Sequence, residues 1–233
     1  MVLRLFNIAL LSLWATFLLW LLTYGKSDLI RLLHPRLWWV LSIAVVVLIL
    51  FLVSLIFSRE DSKQNKLALL ELPGLLILAI PLLYFFIAKD ARLDATSLHN
   101  RIIKNDNGAY QNTLPDFEVF GLSKSPEMLF SKILRDPKKY ENQDVEVVCQ
   151  SFVNEELPEN TAMCYRFMIT CCAADAMPAF IFLSHSDEQT IENNKWIKVN
   201  GPLSIIDNNG MEFPSVEAKS IEYVEEPAFP WAM

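Results

Sequence analysis

Histidine is scarce in this chain: His34, His99 and His185 are all that 233 residues contain. There is no Ser-His-Asp order, no HExxH pair and no glycine-rich phosphate loop, so the usual hydrolytic and nucleotide machinery is missing. The expectation is a protein that is not an enzyme. Charge is missing as well, from two long apolar runs, Leu5–Tyr24 and Leu37–Phe57. Their main polar groups are Asn7, Ser12, Thr16, Ser42 and Ser54, none of them ionisable. Charge inside a membrane segment usually marks an ion path, so its absence argues against an autonomous pump or channel.

What is present begins with those runs. Each holds about 20 uncharged residues, enough to cross a hydrocarbon core of about 30 Å. A third run, Leu72–Ala88, holds about 17, or about 22 when counted from Leu67 across Glu71, which spans the lower part of the same range. The first run sits at the N-terminus behind Arg4, where a signal peptide would sit. It is too long for one, and Tyr24-Gly25-Lys26 is a poor cleavage site. The expectation is an integral, multi-pass membrane protein with three transmembrane helices, at about 5–24, 37–57 and 67–88. Trp14, Trp20, Trp38 and Trp39 read as interfacial or lipid-facing residues.

The two parts of the chain carry opposite charge. Residues 1–88 have seven Lys/Arg and four Asp/Glu, a net of +3; residues 89–233 have thirteen and twenty-three, a net of −10. The acidic part is repelled by phosphate backbones, which excludes nucleic acid as a natural partner. It is repelled by anionic headgroups too, so it should stand clear of the bilayer surface. Basic residues flanking the runs lean only slightly towards a cytoplasmic position for the acidic part and leave its side undetermined.

Residues 89–122 read as a linker broken by Asn105-Asp106-Asn107-Gly108 and Leu114-Pro115. From 123 to 233 a small domain is expected. Ser125, Pro126 and Glu127 open a helix that runs to Arg135. Five strand-like runs follow: Asp144–Val153, Cys164–Cys172, Ala179–Ser184, Trp196–Ile206 and Ser215–Glu225. A short helix is expected over Asp187–Asn194 and a turn at Asp207-Asn208-Asn209-Gly210. Three strands, a helix and two strands is the order of an OB-like five-stranded barrel.

The most unusual string is Arg166-Phe167-Met168-Ile169-Thr170-Cys171-Cys172-Ala173-Ala174-Asp175-Ala176. On a continuous strand Cys171 and Cys172 face opposite ways. They converge only if the strand breaks between or just after them. Cys171, Cys172 and Asp175, with His185 or Cys149, would make a zinc or copper set, with Arg166 in support. The competing reading has Cys149, Cys164 and Cys171 as small buried hydrophobes, Asp175 capping a turn, or Arg166 and Asp175 as a structural ion pair.

Arg166-Phe167, Cys172-x-Ala174-Asp175, Trp196-Ile197-x-Val199-x-Gly201 and Pro227 together resemble the bacterial YcgQ-type family of two-component permease subunits. The resemblance implies N-terminal membrane helices and a C-terminal domain of unknown function. In that family the residue before the second cysteine is His or Cys, as at a metal ligand, and some members carry a His-rich loop between helices two and three. The family's link to zinc handling makes zinc the implied ion. Here that loop, Ser58–Lys66, has neither His nor Cys, so a metal-collecting loop is absent.

Two functions are therefore expected. In one, the chain is an accessory subunit in the bacterial cytoplasmic membrane. Its helices dock on a multi-helix permease, and its C-terminal domain binds cargo, such as a divalent metal at Cys171, Cys172 and Asp175, or gates the partner. In the other, it is a stand-alone membrane-tethered sensor or binding module with thiol or redox chemistry and no transport role, in which Arg166 lowers the pKa of a reactive thiol.

Overall fold

The computed structural model describes residues 2–57, 78–87, 93–98, 126–186, 191–208 and 211–232. The chain divides at Arg92 and Leu93 into two units.

The first unit is helical. Helix α1 runs over Val2–Thr23, the short α2 over Lys26–Leu32, and α3 over Trp38–Phe57, led in by a 3-10 turn at Pro35–Leu37. A further helix, α4, spans Leu78–Ile87. Two stretches are long and apolar enough to cross a bilayer, Leu5–Thr23 and Pro35–Phe57. At 1.5 Å per residue they reach about 28 and about 34 Å. Of the third expected span, 78–87 is helical, and the rest lies outside the described residues. Ala15, Leu18 and Leu21 of α1 and Val45 of α3 are buried, while Leu13, Leu50 and Phe51 are more than half exposed. Helix α1 also meets α4, through the Trp14 indole N–H donating to the Leu78 carbonyl at 3.1 Å and the Phe17 and Phe85 rings at 4.9 Å.

The second unit is mostly β. Helix α5, Pro126–Arg135, drops Phe130 and Ile133 into the core at i and i+3, both fully buried. Its expected cap, Ser125, lies outside the described residues. Strands β1 (Asp144–Phe152), β2 (Thr161–Met168), β3 (Met177–Ser184), β4 (Trp196–Asn208) and β5 (Met211–Glu217) form a ring in the order β1-β2-β3-β5-β4, closed by pairing of β4 with β1. All pairings in the ring are antiparallel except β3 with β5. Alternation sends Val145, Val147 and Cys149 of β1 inward, where they meet Cys164, Ile181, Leu183, Ile197, Val199, Leu203 and Val216.

The last expected strand is divided in two. Strand β6, Ser220–Tyr223, pairs with Ile197–Asn200 of β4, and β5 pairs with β4 only from Leu203 onward. Gly201 stands at that handover. A Cβ there would collide with the backbone carbonyl of Glu217, so the close approach requires glycine. Asn208 pairs with Met211; residues 209–210 of the expected turn lie outside the described residues. The expected helix at Asp187–Asn194 is not formed over 191–194, which end in a turn, and 187–190 lie outside the described residues.

A second apolar cluster covers the outer face of β2: Phe152, Met163, Tyr165, Phe167, Ile169, Ala176 and Trp231. Residues 93–98, expected within the linker, belong to this unit and supply Ala95 and the fully buried Leu98 to that cluster. Asn194, held at φ 62°, accepts the Tyr165 hydroxyl at 3.3 Å and also the Ala95 N–H. Burial pushes the Tyr165 phenol up, and the Asp94 charge adds to this.

Candidate thiol site

Strand β2 ends at Met168, where it pairs with Met177, so Cys171 and Cys172 lie past its end in the β2–β3 connection. The expected strand to Cys172 is thus four residues too long. The cause is Asp175. Its carboxylate accepts backbone N–H groups from Thr170 at 3.1 Å, Cys171 at 2.7 Å and Cys172 at 3.4 Å. Those donors would otherwise need partners on a neighbouring strand. The fold of the connection is a 3-10 turn, Ala173–Asp175, with Cys172 at its N-cap. The Cys172 sulfur accepts the Asp175 N–H while the Asp175 carboxylate accepts the Cys172 N–H, a reciprocal capping box with sulfur in the place of a hydroxyl.

Folding the turn brings the two sulfurs to 3.5 Å, with Cys171 exposed and Cys172 half-buried. The Asp175 carboxylate and the Cys172 sulfur both hold the Cys171 proton, and its thiol is pushed up to about 12. Burial raises Asp175, but the Cys171 thiol and the three N–H groups outweigh that and hold its carboxyl below the usual range. Cys171 is therefore an accessible thiol that keeps its proton at neutral pH. That is the opposite of the thiolate a reactive cysteine needs.

The turn unites Cys171, Cys172 and Asp175; the supporting residues lie elsewhere. Cys149 is joined to Cys164 by a disulfide inside the ring, both fully buried, with Cα atoms 5.4 Å apart. This corrects the expectation of Cys149 as a ligand and of both residues as lone buried hydrophobes, and Cys171 is not buried at all. His185 follows the far end of β3, about 25 Å from its start at the rise of an extended strand, with Nδ1 against the Ser186 carbonyl at 3.0 Å. Arg166 is 1 % exposed; its guanidinium lies over the Trp196 ring at 5.3 Å and donates to the Phe229 carbonyl at 2.8 Å. It clasps the C-terminal tail, with the Ala232 N–H bonded to the Phe167 carbonyl.

Tested as a zinc site, the turn offers two sulfurs. Their separation is close to the edge of a tetrahedron of Zn–S bonds, about 3.8 Å from a bond of about 2.3 Å. Asp175 spends both oxygens on the turn's own N–H groups. Among the described residues no three His, Cys, Asp or Glu side chains are placed to hold a metal. The described residues do not make a resident metal centre at this turn.

Sequence reasoning missed the disulfide, although both cysteines fell on strands read as adjacent. It missed the Arg166–Trp196–Phe229 clasp for want of any periodicity in the tail.

Apolar N-terminal helices followed by a mostly-β unit with a ring of five strands define the class of chain. Residues 126–232 of it match the family of the DUF1980 C-terminal domain, consistent with the YcgQ-type resemblance. No curated protein matches. Among solved structures, the chain is similar to the dimeric N-terminal domain of the PriB protein from Thermoanaerobacter tencongensis, at 20% identity and a TM-score of 0.24, covering 37% of this chain and 100% of that one. A likeness of that size carries no argument.

Proposed function

We propose that the chain is an accessory subunit of a permease in a bacterial cytoplasmic membrane. In this reading its helices dock on a separate multi-helix partner, and its β domain, an OB-like barrel, binds cargo or gates the partner. The observation that carries it is the character of the two helices of spanning length. Ser12, Thr16, Thr23 and Ser42 each donate to a carbonyl of their own helix, three or four residues back. Polar groups satisfied in this way line no path for an ion, while large apolar side chains such as Leu50 and Phe51 remain uncovered.

Purifying the tagged chain in mild detergent tests this. A multi-helix membrane protein should accompany it in fixed ratio; lipid alone would sink the proposal. The cargo site in this reading is the Cys171–Cys172 turn. Two sulfurs form an open ligand set that takes a soft cation in passing and does not retain it. Zinc should bind the full chain weakly, be lost on dialysis, and fail to bind Cys171→Ser/Cys172→Ser, as read by metal analysis. A metal ligand and a reactive thiol both need the thiolate, so the held proton of Cys171 keeps zinc binding here weak and any redox chemistry slow.

A further inference from the structure

We infer that the β domain matures on the extracytoplasmic side of the membrane and that Cys149–Cys164 is its structural cross-link. Both residues lie on the interior face of the ring, fully buried, on paired strands β1 and β2. Their Cα separation of 5.4 Å is within the range that a disulfide takes without backbone movement. The bridge is thus part of the core that the ring closes around, and it has to form before or during closure. Two thiols lose two protons and two electrons as the S–S bond forms. An extracytoplasmic disulfide oxidant accepts them, its own S–S bond opening to two thiols. Such oxidants act outside the cytoplasm, while cytosolic thiol buffers keep cysteines reduced.

Basic side chains near the span ends lean only slightly against this assignment. They number four with the N-tail and second loop, and five with the first loop and the start of the following segment. That balance is too even to set a side. The second pair of cysteines survives in the same compartment for local reasons. Adjacent cysteines close only a strained ring, and the Cys171 proton is held by Asp175 and Cys172. The oxidising side therefore carries one buried disulfide and one exposed thiol pair in the same small domain.

The test uses the full chain in membrane vesicles of both orientations and a membrane-impermeant maleimide bearing polyethylene glycol. The Cys171–Cys172 pair should be modified slowly, at alkaline pH, in right-side-out vesicles, and the modification should vanish in Cys171→Ser/Cys172→Ser. In that double variant, Glu159→Cys, on the exposed β1–β2 turn, provides a second reporter and should be modified in the same orientation. After denaturation the chain should take two adducts without reductant and four with it. Modification confined to inside-out vesicles, or four adducts without reductant, would overturn the inference.

Discussion

Asp175 serves three backbone N–H groups and one thiol with two oxygens, so the β2–β3 turn depends on a single side chain. Asp175→Ala removes the carboxylate half of the capping box and should cost about 1 kcal/mol, the scale of a lost helix cap. It also releases the Cys171 proton, whose pKa should fall from about 12 towards its ordinary value of 9.0. Alkylation of Cys171 by iodoacetamide at pH 8.5 should then speed up by more than tenfold. The pH dependence has two limits. The depressed Asp175 carboxyl stabilises the fold above the usual carboxylate range, and its contribution is lost as pH falls through its lowered folded value. The raised Cys171 thiol contributes fully below pH 9.0 and loses its effect as pH rises towards about 12. The difference in melting temperature between wild type and Asp175→Ala should accordingly be flat from about pH 5 to about pH 8 and shrink on either side. A difference that grows with acid would refute the assignment. At this scale the sequence was partly legible. Asp175 as a turn cap is an ordinary property of aspartate, whereas a sulfur acting as N-cap belongs to no common pattern.

Among the elements, β1 and β2 carry the cross-link and β4 carries the ring. The disulfide closes a loop of 15 residues, and opening it should cost about 3 kcal/mol by the chain-entropy estimate. Cys149→Ala/Cys164→Ala should show that loss in the denaturant midpoint of the full chain in detergent; an unchanged midpoint would make the bridge incidental. Gly201→Ala forces β4 away from Glu217 where one edge of the strand passes from β6 to β5, and overpacking of that kind costs about 1–3 kcal/mol. The same unfolding measurement reads it. The sequence showed the strands as strand-like runs separated by turn residues, and it showed α5 because Ser125, Pro126 and Glu127 mark a helix start. It could not show that Ser215–Glu225 is divided, because the division is set by where β4 changes partner and not by any breaker in the run itself.

For the molecule as a whole, the domain begins earlier than its strands do. Leu98, fully buried against the outer face of β2, and Ala95 belong to the β unit. A fragment of residues 93–233 should therefore unfold at higher denaturant concentration than one of 123–233, by about 2–5 kcal/mol if the loss of Leu98 resembles a buried Leu→Ala change. Equal midpoints would mean that residues 93–98 are a passenger. Polar composition hid this boundary, since three apolar residues among many polar ones give no periodic signal. The ring also governs time. Gln150 meets Tyr165 fifteen residues on and Trp196 forty-six residues on. During synthesis β1 can find its hairpin partner at once, but its other edge stays bare until β4 has been made. Distant pairings of this kind fold slowly and leave unpaired edges open to aggregation, so the nascent domain has a window, set by the rate of the ribosome, in which a chaperone or an early cross-link decides its yield.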